Sequence, residues 1–303
     1  MIFISILFGL LPSFLMVCLG GLIRKRLSVN AWQGLDRLNF EILFPALIFV
    51  AASSRPIELR DIASIGPLVW AVLTLGLAAG YLARRFGPDR FVDFAGAWQV
   101  AWRFNTAMAF VAVETLMDPP LGELAVAVGL AIPVANLFAV TALSRGGGSL
   151  MQTVAKVATN PFLLASISGV IVGLSGIQIP EVAMAPLEML ARAAIPVALI
   201  SVGATMNWGA LARLNRFSGI IVATKLVLLP AFALVLGLAL GLEPAIAATL
   251  VLFAALPTAS AAHVLAAGFG ADRELSATLV AQTTLLAAVS LPIWITVIEL
   301  VLN

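Results

Sequence analysis

Ala254-Ala255-Leu256-Pro257-Thr258-Ala259-Ser260-Ala261-Ala262 is the stretch whose reading decides the fold. It lies inside an apolar segment running from about residue 244 to 268, long enough to cross a bilayer. Proline removes one helical hydrogen bond and collides with the carbonyl four residues earlier. In hydrocarbon the freed backbone groups must be satisfied by protein or by a wet cavity. Thr258 and Ser260 follow the break with short hydroxyl side chains that favour a helix start. The segment therefore reads as a discontinuous transmembrane helix whose second half begins near the bilayer centre, the depth at which secondary transporters hold their substrates.

The rest of the chain agrees with a membrane setting. Of 303 residues, 62% are hydrophobic and 11% charged, and the mean hydropathy is +1.10. A soluble domain carries roughly 25% charge, so the composition implies an all-α polytopic membrane protein embedded in a lipid bilayer. The formal charge of +2 comes from basic residues scattered over short loops, which argues against a nucleic-acid partner. The single cysteine, Cys18, excludes an internal disulfide. No Lys or Arg precedes the first apolar run and Arg24-Lys25-Arg26 follows it, so that run is expected to be retained as a span.

Apolar runs of spanning length predict ten transmembrane helices, at about 2–23, 38–54, 61–83, 92–116, 121–143, 161–178, 187–208, 217–241, 244–268 and 274–300. The polar stretch 144–160, containing Gly146-Gly147-Gly148, divides five helices (1–143) from five (161–303). Loops after odd-numbered spans carry twelve basic residues: Arg24, Lys25, Arg26, Arg37, Arg84, Arg85, Arg90, Arg145, Lys156, Arg213, Arg216 and Arg273. Loops after even-numbered spans carry two, Arg55 and Arg60. By the positive-inside rule both termini are expected outside and the glycine linker in the cytoplasm.

An odd number of helices per half makes the second half an inverted repeat of the first, and traces of duplication remain. Pro12 precedes Gly20 by eight residues in the first span, as Pro161 precedes Gly169 in the sixth. Phe44-Pro45-Ala46-Leu47-Ile48 in the second span matches Ile195-Pro196-Val197-Ala198-Leu199-Ile200 in the seventh. The fourth and ninth spans then correspond. At about 1.5 Å per residue from the cytoplasmic end, Asn105 lies about 20 Å deep, and Pro257 reaches a similar depth from the other side. Two broken, crossing helices would present backbone N–H groups at helix starts, which favour an anion, and Arg103 adds a full positive charge.

Each candidate has a plainer role to set beside the functional one. Arg103, Asn105, Thr106, Pro257, Thr258 and Ser260 are the candidate substrate-binding set. Arg103 could instead pair with Glu114, Asp93 or a carbonyl; Asn105, Thr106, Thr258 and Ser260 could only cap half-helices. His263, the one histidine, suits proton coupling but also a structural contact. Lys225 in the eighth span and Glu41 in the second are also candidates for coupling or for lining the site, with snorkelling to the interface as the plainer role. Gln282-Thr283-Thr284 place three polar side chains in succession on the tenth span, lining the site or an ion position. No zinc-helix motif, nucleophile elbow or Walker A loop occurs, which argues against an enzyme, a resident metal and ATP-driven pumping.

These residues carry a family resemblance. Leu256-Pro257-Thr258-Ala259-Ser260-Ala261-Ala262-His263-Val264-Leu265-Ala266, then Gly270-Ala271-Asp272, Thr283-Thr284 and Leu291-Pro292 resemble the C-terminal signature of the auxin efflux carrier family. Arg103-x-Asn105-Thr106, Asn160-Pro161 and Lys225-x-x-x-x-Pro230 are also similar to it. The resemblance implies two inverted five-helix repeats, a fold shared with bile-acid/sodium symporter-like proteins. It further implies a scaffold domain, a transporter domain with crossing fourth and ninth helices, elevator-like movement and a homodimer. It implies organic anions as substrates, auxin in plants and dicarboxylates in bacteria. The chain departs where the family has a proline seven residues after the fourth-span asparagine, since Ala112 stands there, which puts the fourth-span break in doubt. The long hydrophilic loop of plant carriers is absent, as in compact bacterial members.

The expected function is a secondary transporter moving a small organic anion, a carboxylate, across the bacterial inner membrane, without a cofactor and with Na+ or H+ as candidate coupling ions. The alternatives are a sodium-coupled symporter of the bile-acid type and a transporter-like ligand sensor.

Overall fold

The computed structural model describes residues 2–53, 59–144, 159, 161–259 and 262–302, and among them all regular structure is helical. The helices are α1 (Ile2–Ile23), α2 (Val29–Leu38), α3 (Phe44–Ser53), α4 (Leu59–Tyr81), α5 (Phe91–Trp98), α6 (Thr106–Val113) and α7 (Leu121–Leu143). After the linker come α8 (Pro161–Ser175), α9 (Glu181–Thr205), α10 (Arg216–Ala223), α11 (Leu229–Ala239), α12 (Pro244–Ala255), α13 (Ala262–Gly268) and α14 (Arg273–Val301). Among the described residues five stretches are long and apolar enough to cross a bilayer: Ala63–Phe86, Leu121–Leu143, Glu181–Thr205, Arg216–Ala239 and Arg273–Val301. The chain is a polytopic integral membrane protein.

Local chemistry sets the ends. Pro161 and Pro244 open α8 and α12, where the missing N–H costs nothing. Asn215 and Ser218 cap α10 reciprocally, and the Asp272 carboxylate accepts from Leu275 N at 3.0 Å to start α14. Gly176 and Gly270, at φ 65° and 74°, follow the ends of α8 and α13 in the left-handed conformation that glycine adopts without strain.

Two segments differ from expectation. Residues 29–37, expected as loop, belong to the amphipathic helix α2, which runs through a π-turn at Asn39–Leu43 into α3. Its polar face kept it below any spanning threshold, yet Trp32 is buried and its indole N–H donates to Arg24 O at 3.1 Å. Helix α9 starts at Glu181 rather than 187 and carries Pro186 within it. A second π-turn, Thr224–Leu228, joins α10 to α11. Each π-turn ends two residues before a proline, Pro45 or Pro230. The ring and missing N–H push the preceding ladder to wider bonds, seen where Phe44 N–H donates to Asn39 O and Leu229 N–H to Thr224 O.

Pro230 also leaves the Leu226 carbonyl without its helical donor, and Trp294 supplies one through its indole N–H at 2.9 Å. This use of tryptophan is general. Trp70, Trp98, Trp102 and Trp208 donate to Leu130, Leu77, Ala135 and Gly203 carbonyls at 2.9, 2.9, 3.1 and 3.1 Å. With Trp32 and Trp294, all six tryptophans of the chain are joined to main chain.

Helices α1 and α9 pack backbone to backbone. A methyl group on Gly20 would fall on the Ile200 carbonyl, and one on Gly203 on the Val17 carbonyl. Helix α8 meets α3 in the same way: a Cβ on Gly169 would lie 2.8 Å from Ala52 Cβ and 3.0 Å from Phe49 O. The interior is filled by α5, α6 and α12, whose side chains are nearly all buried.

Gly203→Leu should force α1 and α9 apart and destabilise the protein by roughly 3 kcal/mol or more. Gly219→Ala, where a Cβ meets nothing, should leave stability unchanged or raise it by up to about 1 kcal/mol. Thermal unfolding of the two purified variants in one detergent checks the contrast.

Candidate functional site

Helix α12 stops because Pro257 bars its predecessor from helical geometry: Leu256 is extended, with ψ 142°. Pro257 and Thr258 then run buried through the interior, and the chain is helical again at Ala262. The fourth span is interrupted too, without a proline. After α5 a 3-10 turn, Gln99–Ala101, leads to Asn105, which takes extended geometry (φ −94°, ψ 105°) and caps α6 by accepting from Met108 N at 3.3 Å.

The two interruptions supply each other's missing partners. Asn105 N–H donates to Pro257 O at 2.8 Å, and the Thr258 hydroxyl donates to Val100 O at 2.6 Å. The Gln99 amide donates to Gly96 O at 3.0 Å and to Ala262 O at 3.1 Å. A buried carbonyl or N–H left unpaired costs about 1–3 kcal/mol, so these cross-bonds hold both breaks open as a matched pair. The ends are tied as well: Asp93 accepts from Asp272 N at 2.9 Å, and Arg90 donates to Gly270 O at 3.4 Å.

Behind the crossing lies a polar layer. Thr258 N–H donates to Thr283 Oγ1 at 3.4 Å, and the Thr283 and Thr284 hydroxyls both donate to Val280 O at 2.9 Å. Gln282 Nε2 donates to Ala210 O at 2.9 Å. Lys225 does not snorkel. It is 1% exposed, and its ammonium donates to Ala254 O, 3.3 Å away, at the C-terminus of α12, where the helix dipole favours a cation. The π-turn that carries Lys225 turns it inward.

In front of the crossing is a cavity of about 1260 Å³. Arg103, Phe104, Asn105 and Thr106 form its inner end, and His263 and Ala259 stand on the wall beside them. Arg24, Arg37 and Arg273, all exposed, lie at its outer end. Four arginines thus face one carboxylate, Asp36, which accepts a hydrogen bond from Ser201. Asp36 is exposed at the cavity, with neighbouring chain packed around part of its carboxyl. That partial burial raises its carboxyl above the ordinary range, and the Ser201 hydroxyl offsets part of the rise. Arg37 is held by Glu41 at 2.7 Å. Arg103 makes no ion pair among the described residues; its guanidinium reaches only Gln99 Oε1, at 3.4 Å. The buried Asn105 Nδ2 has no acceptor.

Of the residues singled out from sequence, Arg103, Asn105, Thr106 and His263 face the cavity together. Pro257 and Thr258 build the crossing and are not on the cavity wall. Gln282, Thr283, Thr284 and Lys225 lie behind it, and Glu41 is exposed beside Arg37. Ser260 falls outside the described residues. Sequence reasoning missed Asp36, Asn39 and the cavity role of Arg24 and Arg273. The arginines entered only as a count that sets orientation; Asn39 gave a signal, a carboxamide next to the start of an apolar run.

Comparison with known proteins agrees with this setting. Residues 148–295 match the family model described as "Membrane transport protein". The chain is 30% identical over 306 residues to a protein of Rhizobium meliloti (strain 1021) named "Putative malonate transporter", covering 91% of each. It is 27% identical over 296 residues to an "Uncharacterized transporter" of Methanothermobacter thermautotrophicus, covering 93% of this chain and 95% of that one.

Thr258→Val keeps the shape but strands the Val100 carbonyl. It should lower stability by about 1–3 kcal/mol, whereas Thr284→Val, which leaves its helix carbonyl bonded within α14, should cost less. Thermal midpoints of the two proteins compared with wild type check this.

Proposed function

This chain belongs to the auxin efflux carrier family of membrane transport proteins, and we propose that it is a secondary transporter for a small organic anion, a carboxylate. The observation that carries this is the cavity in front of the paired breaks, where, with Arg37 paired to Glu41, three further arginines meet one carboxylate and Arg103 has no acidic partner among the described residues. Arg103 receives the carboxylate. The N–H groups of Thr106 and Ala107 at the start of α6, which have no intrahelical acceptor, and the Asn105 amide complete the set. Ala259 and His263 close the wall, while Pro257 and Thr258 hold the backbone geometry behind it. The relative named for malonate supports a carboxylate as cargo.

The architecture proposed with it is ten spans in two inverted repeats, 1–143 and 161–303, joined by 144–160. Gly20 lies against Ile200 and Gly169 against Phe49, and each contacted residue stands four places after its proline, Pro196 or Pro45. The repeat-matched glycines of the sequence thus contact repeat-matched carbonyls. For movement, α5, α6, α12 and α13 are cross-bonded and would travel as one body against the tight α1–α9 and α3–α8 pairs, an elevator. The cavity mouth at Arg24, Arg37 and Arg273 lies on the side the positive-inside rule assigns to the cytoplasm.

Purified protein in liposomes should accumulate labelled malonate or another small carboxylate. Arg103→Ala should reduce uptake at least about tenfold, the loss of one charge-assisted contact, with little change in thermal midpoint. Normal transport by Arg103→Ala would overturn the site. Uptake that rises with sodium at fixed pH would assign sodium as the coupling ion; uptake that rises with acidification at fixed sodium would assign protons.

A further inference from the structure

Asn39 is an anomaly in the cavity wall. It is 3% exposed, and neither its Oδ1 nor its Nδ2 has a hydrogen-bond partner. It nevertheless lines the same cavity as Arg103 and Asn105. Most buried polar side chains are bonded, and one that is orphaned at both ends needs a reason. The local backbone supplies part of it. Asn39 is the first residue of the π-turn that precedes Pro45, and π-turns concentrate at functional sites. The extra residue of such a turn rotates the chain, so that Asn39, Phe40 and Phe44 all border the cavity. One turn earlier Asp36 is fastened to Ser201 of α9, which fixes the wall that carries Asn39.

We infer that Asn39 is a second substrate contact that sets specificity. This rests on the anion-transport reading above: the carboxylate is held at Arg103, and the far end of the same molecule meets the Asn39 carboxamide. An amide presents one acceptor and two donor hydrogens in a fixed plane. The group that answers both ends is one that also accepts and donates, a hydroxyl or an amide. The preferred cargo is therefore a short acid with a hydroxyl or comparable polar group at its far end. A plain alkyl acid leaves the carboxamide unpaired, and a site built around a hydrogen bond rejects the analogue that lacks it.

Two three-carbon acids that differ only at the far end test this, 3-hydroxypropionate and propionate, each labelled, in liposomes containing wild type, Asn39→Leu or Asn39→Ala. Wild type should favour the hydroxy acid by about tenfold or more in kcat/KM. Both variants should bring the ratio to about twofold or less, with a raised KM for the hydroxy acid and propionate uptake equal to or above that of wild type, because no carboxamide is left unpaired. If Asn39→Leu does not accumulate, Asn39→Ala, which only deletes atoms at the cavity edge, decides alone. A wild-type ratio retained in a variant, or no preference in wild type, overturns the role of Asn39 and leaves anion transport standing. Wild-type protein that moves neither these acids nor malonate overturns the transport reading and this inference with it.

Discussion

A backbone polar group inside hydrocarbon has no water to turn to, and the whole structure answers that constraint at Pro257. One break alone would leave carbonyls stranded. Two breaks set against each other exchange donors and acceptors: Asn105 N–H with Pro257 O, the Thr258 hydroxyl with Val100 O, the Gln99 amide with Ala262 O. The fourth span therefore opens for the ninth. No proline is required in it, because the energy that straightens a helix, its own ladder, is replaced by bonds of equal kind to the neighbouring chain. Once open, the pair creates what a continuous helix cannot offer at that depth, a helix start with unengaged N–H groups beside an arginine.

Much of this was legible in the residues. Pro257 announced one break, and Asn105-Thr106 marked a helix start by the same preference that places asparagine at N-caps elsewhere. Five of the expected apolar runs return as helices of spanning length, with 121–143 matching to the residue. Illegible were features that depend on what stands opposite. Helix α2 scores as loop on any apolar count, and only the buried Trp32 face explains it. Lys225 looked like an interfacial lysine because nothing in its neighbours reports that a π-turn turns it toward Ala254 O. Arg24 and Arg273 are far apart in sequence, so a one-dimensional reading counts them separately, whereas the fold sets them around one cavity.

The division of labour around the crossing follows from the same logic. Residues that satisfy backbone, namely Thr258, Gln99, Thr283 and Lys225, are consumed by that task and face inward. Residues that face the cavity, Arg103, Asn39 and the Nδ2 end of Asn105, keep hydrogen-bonding capacity in reserve. Motif membership did not separate these two groups; partner accounting does. A signature shared within a family can thus record the framework that creates a site as much as the atoms that touch a ligand.

The six indole links have a bearing on how such a chain can drift. Phenylalanine fits a tryptophan's space and scores as well or better on hydropathy, so a Trp→Phe exchange looks harmless to any filter based on oiliness or span length. At Trp294 it would silence the donor that answers Pro230, and the Leu226 carbonyl would face hydrocarbon unanswered. The proline and the distant tryptophan are therefore bound to each other as a pair, and neither can be exchanged at will while the other remains.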